Sequence, residues 1–299
     1  MQLIKNNFSI SDLENLSGIK AHTIRIWEKR YGLLSPERTK TNIRTYSLES
    51  LKKILNVSLL NSNGFKISKI AQLSDLDFKQ AIAGLIDQHL RSDYYIQELL
   101  VAMFAFDRDR FKYINAELKK HKGFEQRFEE CYMPLLMRIG LLWQSGVITP
   151  SHEHFIAVLI KEQLLLEIEG LHLTVNPSDE TYILFLPDGE LHDLGIYYIY
   201  YLLLQQSKKV LYLGASVPLE DLEKLLNLSS KINFVSSFTV APEANSINEY
   251  LQKVHDTLLN SSSNHFYAWG SVLDSVDERP SKQMTIASNL LEIKDFLLP

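Results

Sequence analysis

Residues 23–34 read TIRIWEKRYGLL, and this stretch decides the fold of the first part of the chain. The pattern predicts a helix over Lys20 to Tyr31 that ends at Gly32. One face of that helix is largely apolar and carries Ala21, Ile24, Trp27, Glu28 and Tyr31. The opposite face is largely basic and carries His22, Arg25, Ile26, Lys29 and Arg30. The first face is therefore expected to pack, and the second to meet solvent or an acidic partner.

The flanking segments predict a compact DNA-binding arrangement. Ser9 to Glu14 offer capping hydroxyls and early acids for a shorter helix, which Ser17-Gly18 closes after about two turns. Residues 35–47 predict a turn and a basic hairpin, with a further helix from near Leu48. Two short helices, the second with a basic face, are typical of a helix-turn-helix that lays its recognition helix in the major groove. An ordinary solvated helix face would carry the same charges.

The charge is distributed unevenly along the 299 residues. Residues 1–70 hold 12 Lys and Arg against 5 Asp and Glu, a net charge of +7, whereas the remainder, with 19 against 31, carries −12. A basic head on an acidic body is typical of a nucleic-acid-binding domain joined to a domain of another kind.

The segment from Thr23 to Leu34, with Pro36, Arg38-Thr39 and residues 44–47, closely resembles the winged helix-turn-helix of the MerR family over roughly residues 8–75. The resemblance implies that the helix with Arg25 enters the major groove and that the wing holds the phosphate backbone. The DNA-binding residues it implies are His22, Thr23, Arg25, Lys29, Arg30, Arg38, Arg44 and Tyr46. Asn42 replaces the usual wing-tip Gly, and since Asn tolerates left-handed backbone angles, we expect the turn to persist.

Length and composition predict several further domains without a membrane span. With 45% apolar and 22% charged residues the chain can bury sizeable cores, and the single Cys131 excludes an internal disulfide or a cysteine-based zinc site. No apolar run reaches the roughly 18 residues of a membrane span, and Met1 to Ser11 lacks a signal-peptide pattern, so we expect a soluble cytoplasmic protein. The expected domains are the head at 1–75, a linker at 76–92, a four-helix domain at 93–175 and an α/β domain at 176–299.

The two later domains differ in hydrophobic period. Asp93 to Leu171 is helical throughout, and Thr149 with Pro150 begins its last helix, which brings Trp143, Glu153 and His154 to one end of the bundle. From Thr181 onward, short buried strands alternate with helices, which predicts a parallel, doubly wound sheet with a ligand site beyond the carboxyl ends of its strands. The predicted strands are 182–186, 209–213, 232–238, 265–269 and 284–287, and the helices 193–206, 218–228, 242–259 and 289–297.

The first of these strands leads into residues 187–195, PDGELHDLG, where a ligand-binding loop belongs. A histidine in a loop is usually a solvated or capping side chain. Glu190, however, is placed to orient the imidazole of His192 if that ring binds a metal through its other nitrogen. Gly195 would let a bulky group or a helix approach closely.

This loop resembles the D-x-H-x-x-G signature of cobalamin-binding domains, with Glu190 in place of Asp, and residues 213–218 resemble their L-G-x-x-x-P stretch. The resemblance implies a flavodoxin-like fold, His192 as the lower axial ligand of cobalt, and a slot for the nucleotide tail lined by Ser236, Ser237 and Gly270. Phe238 replaces a Leu near this slot, where its ring would fill or obstruct it. Gly270-Ser271 replaces Gly-Gly, which would tighten the slot.

Trp143, nine intervening residues and Glu153-His154 reproduce the W-x9-E-H spacing of the CarH-type light sensors. In that family Trp143 and Glu153 would cover the 5′-deoxyadenosyl group of adenosylcobalamin, and His154 would capture cobalt after photolysis. Taken singly, the three residues are equally compatible with core packing, a favourable helix terminus and a surface position.

The resemblances imply a cytoplasmic transcriptional regulator, a repressor of carotenoid synthesis genes if the likeness extends that far. It would bind operator DNA as a homo-oligomer, a dimer or tetramer, under control of adenosylcobalamin and light, and would not be an enzyme. Two alternatives stay open: a cobalamin enzyme subunit, disfavoured because the chain has a DNA head and lacks a substrate barrel, and a regulator whose sensor domain no longer binds cobalamin and acts through protein contacts.

Overall fold

The computed structural model describes residues 7–89, 92–171, 180–260, 262–276 and 279–298. The chain divides into two compact units, residues 1–160 and 161–299. None of the helices within the described ranges combines the length and the apolar character needed to cross a membrane. The domain boundary expected between residues 175 and 176 lies outside the described residues.

The first unit begins with the predicted helix pair and wing. Helix α1 spans Ile10–Ser17, and the side chains of Ser9 and Asp12 cap each other's backbone N–H groups at its start. Helix α2 spans Ala21–Tyr31 and ends at Gly32, whose left-handed φ of 60° suits glycine. The wing pairs strands β1, Glu37–Arg38, and β2, Arg44–Thr45, in an antiparallel hairpin. Helices α3, Leu48–Ser62, and α4, Ile67–Ile70, complete the head.

The helical region that follows has the predicted character. Its helices are α6, Ser92–Ala105, α7, Arg108–His121, α8, Phe124–Arg127, α9, Met133–Gln144, and α10, Pro150–Glu169. A π-helical stretch, Phe128–Tyr132, joins α8 to α9 without a break, so four helical rods span this region.

The connection between head and bundle is itself helical. Residues 76–92, expected as a linker, fall largely within helix α5, Asp75–His89, although residues 90–91 lie outside the described part of the chain. Ser74 accepts a hydrogen bond from the Asp77 N–H at its start, and Ile82 and Leu85, three residues apart, are both buried. Because residues 76–92 are largely polar, this short apolar stripe was not recognised from the sequence.

The second unit contains a parallel five-stranded sheet, which confirms the predicted doubly wound class. Its strands are β3, Glu180–Pro187, β4, Val210–Val217, β5, Lys231–Ser237, β6, His265–Trp269, and β7, Met284–Ala287. They lie in the order β4-β3-β5-β6-β7. The helices are α11, Leu194–Gln205, α12, Leu219–Glu223, α13, Ile247–Val254, and α14, Leu290–Leu297, and α13 continues as a π-helical stretch, His255–Leu259.

The order of the strands in the sheet determines where the candidate ligand loop lies. The chain moves from β3 outward to β4 and then returns to β5 on the other side of β3, so the connections diverge at the carboxyl ends of β3 and β5. In open α/β sheets this switch point forms a crevice in which ligands bind. The loop of residues 188–193 follows β3 and therefore lies there.

Candidate functional sites

Helix α2 presents the predicted basic face to solvent. Ile24 and Trp27 are buried beneath it, as the periodicity predicted. The Thr23 hydroxyl, half-buried at the edge of this face, lies 3.3 Å from His22 Nε2. The exposed residues of the face are His22, Arg25, Ile26, Lys29 and Arg30. The structure thus gathers the predicted recognition residues on one exposed surface.

The wing turn has the geometry expected for Asn42. Its φ is 64°, in the left-handed region that Asn enters more readily than most residues. Arg38 donates from Nη1 to Asn42 Oδ1 at 2.7 Å, while the Thr39 N–H donates to the Ile43 carbonyl at 2.9 Å. Arg38 is exposed and held at the tip of the wing.

Glu28 connects the wing to α2. Its carboxylate lies 3.3 Å from Arg44 Nε and accepts a hydrogen bond from the Tyr46 hydroxyl. Tyr46 is only 1% exposed, and burial together with this hydrogen bond raises its pKa. The structure therefore places Tyr46 as a support for Glu28 and Arg44, which differs from the direct phosphate contact expected from the sequence, because the hydroxyl already serves Glu28.

Glu190 is the most completely engaged side chain of the ligand loop. Its side chain is wholly buried, and Oε1 accepts hydrogen bonds from the N–H groups of Leu191 and His192 at 2.9 and 3.0 Å. Oε2 accepts three more, from the N–H groups of residues 239–241 at 2.7 to 3.1 Å. One carboxylate thus pins the loop after β3 to the loop after β5 across the switch point.

The same carboxylate orients His192. The Nδ1 atom of His192 lies 2.6 Å from Glu190 Oε1, and the His192 side chain is 45% exposed. Burial alone raises the pKa of Glu190, but the hydrogen bonds from His192, Val240 and Ala241 outweigh it and lower that pKa to about 2. Glu190 is therefore a carboxylate at neutral pH, and Nδ1 is the ring nitrogen it engages, so Nε2 is the nitrogen that would bind a metal.

The predicted slot residues occupy the ends of β5 and β6. Ser236 and Ser237 are 0% and 3% exposed, and within the described ranges neither hydroxyl has a hydrogen-bond partner. Gly270 has a φ of 130°, and a Cβ there would lie 2.2 Å from the Phe238 carbonyl oxygen, so only glycine fits. The Phe238 ring packs in the core against Tyr250 and Phe266, at centroid distances of 5.7 and 6.3 Å. That ring therefore does not enter the slot, contrary to the expectation that it would fill or obstruct it.

Trp143, Glu153 and His154 lie at the neighbouring ends of α9 and α10 in the first unit. Trp143 is 53% exposed, Glu153 is half-buried and His154 is exposed. Helix α10 begins as predicted after Thr149, whose hydroxyl lies 2.9 Å from Nδ1 of the buried His152. His152 thereby fixes the first turn of α10, which carries Glu153 and His154.

Two features of the ligand site were not foreseen from the sequence. The three backbone N–H groups of residues 239–241 bind Glu190 from a distant loop. Trp269, the last residue of β6, is 6% exposed, and a Cβ built on Gly195 would lie 3.5 Å from its Cζ2 atom. The sequence contained one signal for the second feature, a bulky residue directly before Gly270.

The residues of the loop fit the binding of a corrinoid through its cobalt. An imidazole held by a buried carboxylate through one nitrogen is the arrangement in which proteins present histidine to a metal. The partly exposed ring of His192 has this arrangement, with Glu190 beneath it. The hydroxyls of Ser236 and Ser237, which have no partner in the described part of the chain, add buried polar groups that a polar ligand would satisfy.

Comparison with known proteins agrees with the head and with the helical region that follows it. Residues 8–76 match the MerR HTH family of regulatory proteins, and residues 95–164 match the B12 binding domain. The HTH-type transcriptional repressor CarH of Myxococcus xanthus is 27% identical over 245 residues, which cover 80% of this chain and 81% of that protein. The repressor CarA of the same organism is 24% identical over 217 residues, 72% of this chain and 70% of CarA.

A solved structure supports the fold. The monomethylamine corrinoid protein of Methanosarcina barkeri matches with a TM-score of 0.57 and 14% identity, covering 69% of this chain and 98% of that one. At this identity the likeness concerns the fold alone. With residues 8–76 matching the MerR HTH family, residues 95–164 matching a B12 binding domain and similarity to CarH over 80% of its length, the chain is similar to HTH-type transcriptional regulators.

Proposed function

We propose that this protein is a transcriptional repressor that binds operator DNA in the dark with adenosylcobalamin bound, and releases it on illumination. Because its target is DNA, we place it in the cytoplasm. The observation that carries the proposal is the His192–Glu190 pair, in which a wholly buried carboxylate holds a partly exposed imidazole at the switch point of the sheet. Proteins commonly hold a metal-binding histidine in this way, with a carboxylate bound to the ring nitrogen that does not bind the metal.

The head supplies DNA recognition. Arg25, with Lys29 and Arg30 on the same exposed face of α2, would read the major groove, and the wing arginines Arg38 and Arg44 would neutralise phosphates. Tyr46 and Glu28 fix Arg44 at the base of the wing. Since one such head gives modest affinity, joining several in a homo-oligomer would raise the effective concentration on repeated half-sites.

The second unit would bind cobalt through His192. Glu190 keeps the Nδ1 proton of His192 engaged, which leaves Nε2 as the nitrogen for the metal. The loop cannot swing freely, because Glu190 also binds five backbone N–H groups from two loops. Ser236, Ser237, Gly195 and Gly270 would line the region taken by the nucleotide tail.

Three residues of the first unit would act on the adenosyl group and on cobalt. Bound adenosylcobalamin supplies a cobalt–carbon bond that light breaks. Trp143 offers a 53% exposed ring, and Glu153 a half-buried carboxylate in the first turn of α10, to cover the adenosyl group. His154, one residue further along the same turn, would bind cobalt after illumination. Movement of this turn would disturb a subunit interface built on the bundle.

A second candidate is a regulator that works through protein contacts without cobalamin. The packing of Trp269 on Gly195 favours it, because the indole occupies space that the nucleotide tail would need. The exposed apolar side chains of Met137 and Leu141 on α9, each 67% exposed, would suit a protein partner as well.

Size-exclusion chromatography in darkness and after green light, with bound cobalamin verified by absorbance, tests the proposal. We expect a larger dark form that retards operator DNA in a gel, and a smaller illuminated form that binds it weakly. One elution volume under both conditions, with cobalamin bound, would refute light control. Failure to retain cobalamin in either condition would favour the second candidate.

A further inference from the structure

Trp269 lies inside the second unit at the carboxyl end of β6. Its side chain is 6% exposed, and it pairs in register with Ser237 on β5 and Ala287 on β7. Register partners in a parallel sheet project from the same face, so the indole and the Ser237 side chain are neighbours. Trp269 therefore borders a buried hydroxyl that has no partner among the described residues.

The indole also covers the start of α11. A Cβ built on Gly195 would lie 3.5 Å from Trp269 Cζ2 and 3.7 Å from its Nε1, with Leu290 Cδ1 next at 3.8 Å. Gly195 is thus the residue that lets this ring approach the helix. The group that meets Gly195 is a side chain of the protein itself.

The backbone on both sides of Trp269 is fixed. The Phe238 N–H donates to the Trp269 carbonyl at 2.9 Å, and the Val272 N–H donates to the Phe238 carbonyl at 3.1 Å. Gly270 has no room for a Cβ against Phe238. Room beside Gly195 must therefore come from rotation of the Trp269 side chain or from a shift of α11, and not from the strand end.

We propose that Trp269 is the residue that sets selectivity between complete cobalamin and corrinoids without a nucleotide tail. Indole and dimethylbenzimidazole are both fused six- and five-membered rings, so the two compete for the same flat space between Gly195 and Ser237. The tail of a complete cobalamin must displace the indole, whereas a corrinoid without the tail needs only His192. This inference rests on the proposed function, because it requires cobalt at His192.

Equilibrium dialysis of the full chain against aquacobalamin and aquacobinamide tests the inference directly. For Trp269→Ala we expect cobalamin affinity to rise by at least about tenfold while cobinamide affinity stays within about twofold of the parent. Trp269→Phe should shift the ratio in the same direction by less. Cobinamide binding shows in the same experiment that each variant is folded.

Tyr267→Ala is the matched control. Tyr267 is a half-buried aromatic residue two positions earlier on the same face of β6, with its ring centroid 4.5 Å from that of His265, so its removal loosens the strand without opening the space at Gly195. We expect it to leave the cobalamin-to-cobinamide ratio unchanged.

The outcomes separate this inference from the proposed function. A ratio that is the same in the parent, Trp269→Ala and Trp269→Phe overturns the selectivity role, although cobalamin binding stands. Weaker cobalamin binding by Trp269→Ala with unchanged cobinamide binding also overturns it, because the indole would then contact the ligand favourably. If the parent binds only cobinamide and Trp269→Ala binds both, the inference holds and the adenosylcobalamin proposal fails. If no variant binds either compound, both fail.

Discussion

Replacement of Glu190 by Gln should destabilise the second unit strongly at neutral pH and weakly in acid. The carboxylate is wholly buried and accepts five backbone N–H groups, in addition to its contact with His192 Nδ1. In glutamine, one of the two oxygens becomes an NH2 group that must face those donors. Buried donors lose their acceptor, which is costly in a dry site.

The magnitude follows from the pKa of Glu190. Hydrogen bonding overcomes the effect of burial and lowers this pKa from 4.5 to about 2. Such a shift corresponds to about 3 kcal/mol of folding free energy at pH 7. The contribution is fully present above pH 4.5 and declines below it, because the unfolded chain takes up the proton first. We expect about 2 kcal/mol of it to be gone by pH 3, and nearly all of it as the pH falls through 2.

Urea denaturation followed by circular dichroism, from pH 7 to pH 3, measures this difference between parent and Glu190→Gln. The matched control is Glu249→Gln, because Glu249 is exposed and forms a surface ion pair with Lys253 on its own helix, and this variant should unfold like the parent. If Glu190→Gln lowers the free energy of unfolding by less than about 1 kcal/mol at pH 7, or if the difference does not shrink in acid, the stabilising role of the carboxylate is refuted.

Three further predictions concern the head and the switch. Arg25→Ala should weaken binding to an operator selected from random DNA, and a gel-shift titration identical to the parent's would remove Arg25 from the interface. Tyr46→Phe should lower the free energy of unfolding by about 1.5 to 3 kcal/mol, because it removes a buried hydrogen bond to the charged Glu28. Thermal or urea unfolding measures this difference, and an unchanged free energy would contradict that role. The homo-oligomer of His154→Ala should still dissociate on illumination, but its illuminated form should lack the absorption spectrum of two imidazoles on cobalt. Absorbance spectra recorded before and after green light test this.

The sequence predicted the elements closely where local patterns determine them. The bounds of β6 and β7 agree with the structure residue for residue, since short apolar runs between polar turns leave little choice. The helix start at Thr149-Pro150 and the left-handed turn at Asn42 likewise follow from single residue types. Helix α5 was missed because its buried stripe rests on Ile82 and Leu85 within a polar segment.

The site was predictable in its local part only. Glu190 and His192 are two residues apart, so their contact could be expected from spacing. The N–H groups of residues 239–241 reach Glu190 from about 50 positions away, and no local pattern specifies them. The direction of a side chain at a strand end depends on neighbouring strands and helices, which is why the position of Trp269 over Gly195 required the structure.

The central claim is that His192 holds cobalamin, and retention of adenosylcobalamin after desalting in darkness tests it most directly. His255→Ala is the matched control, because His255 also pairs through Nδ1 with a carboxylate, Asp256, at 3.0 Å in the same unit. The account predicts that the parent and His255→Ala retain the cofactor, measured by absorbance, and that His192→Ala loses most of it. Equal retention by all three proteins would contradict ligation by His192.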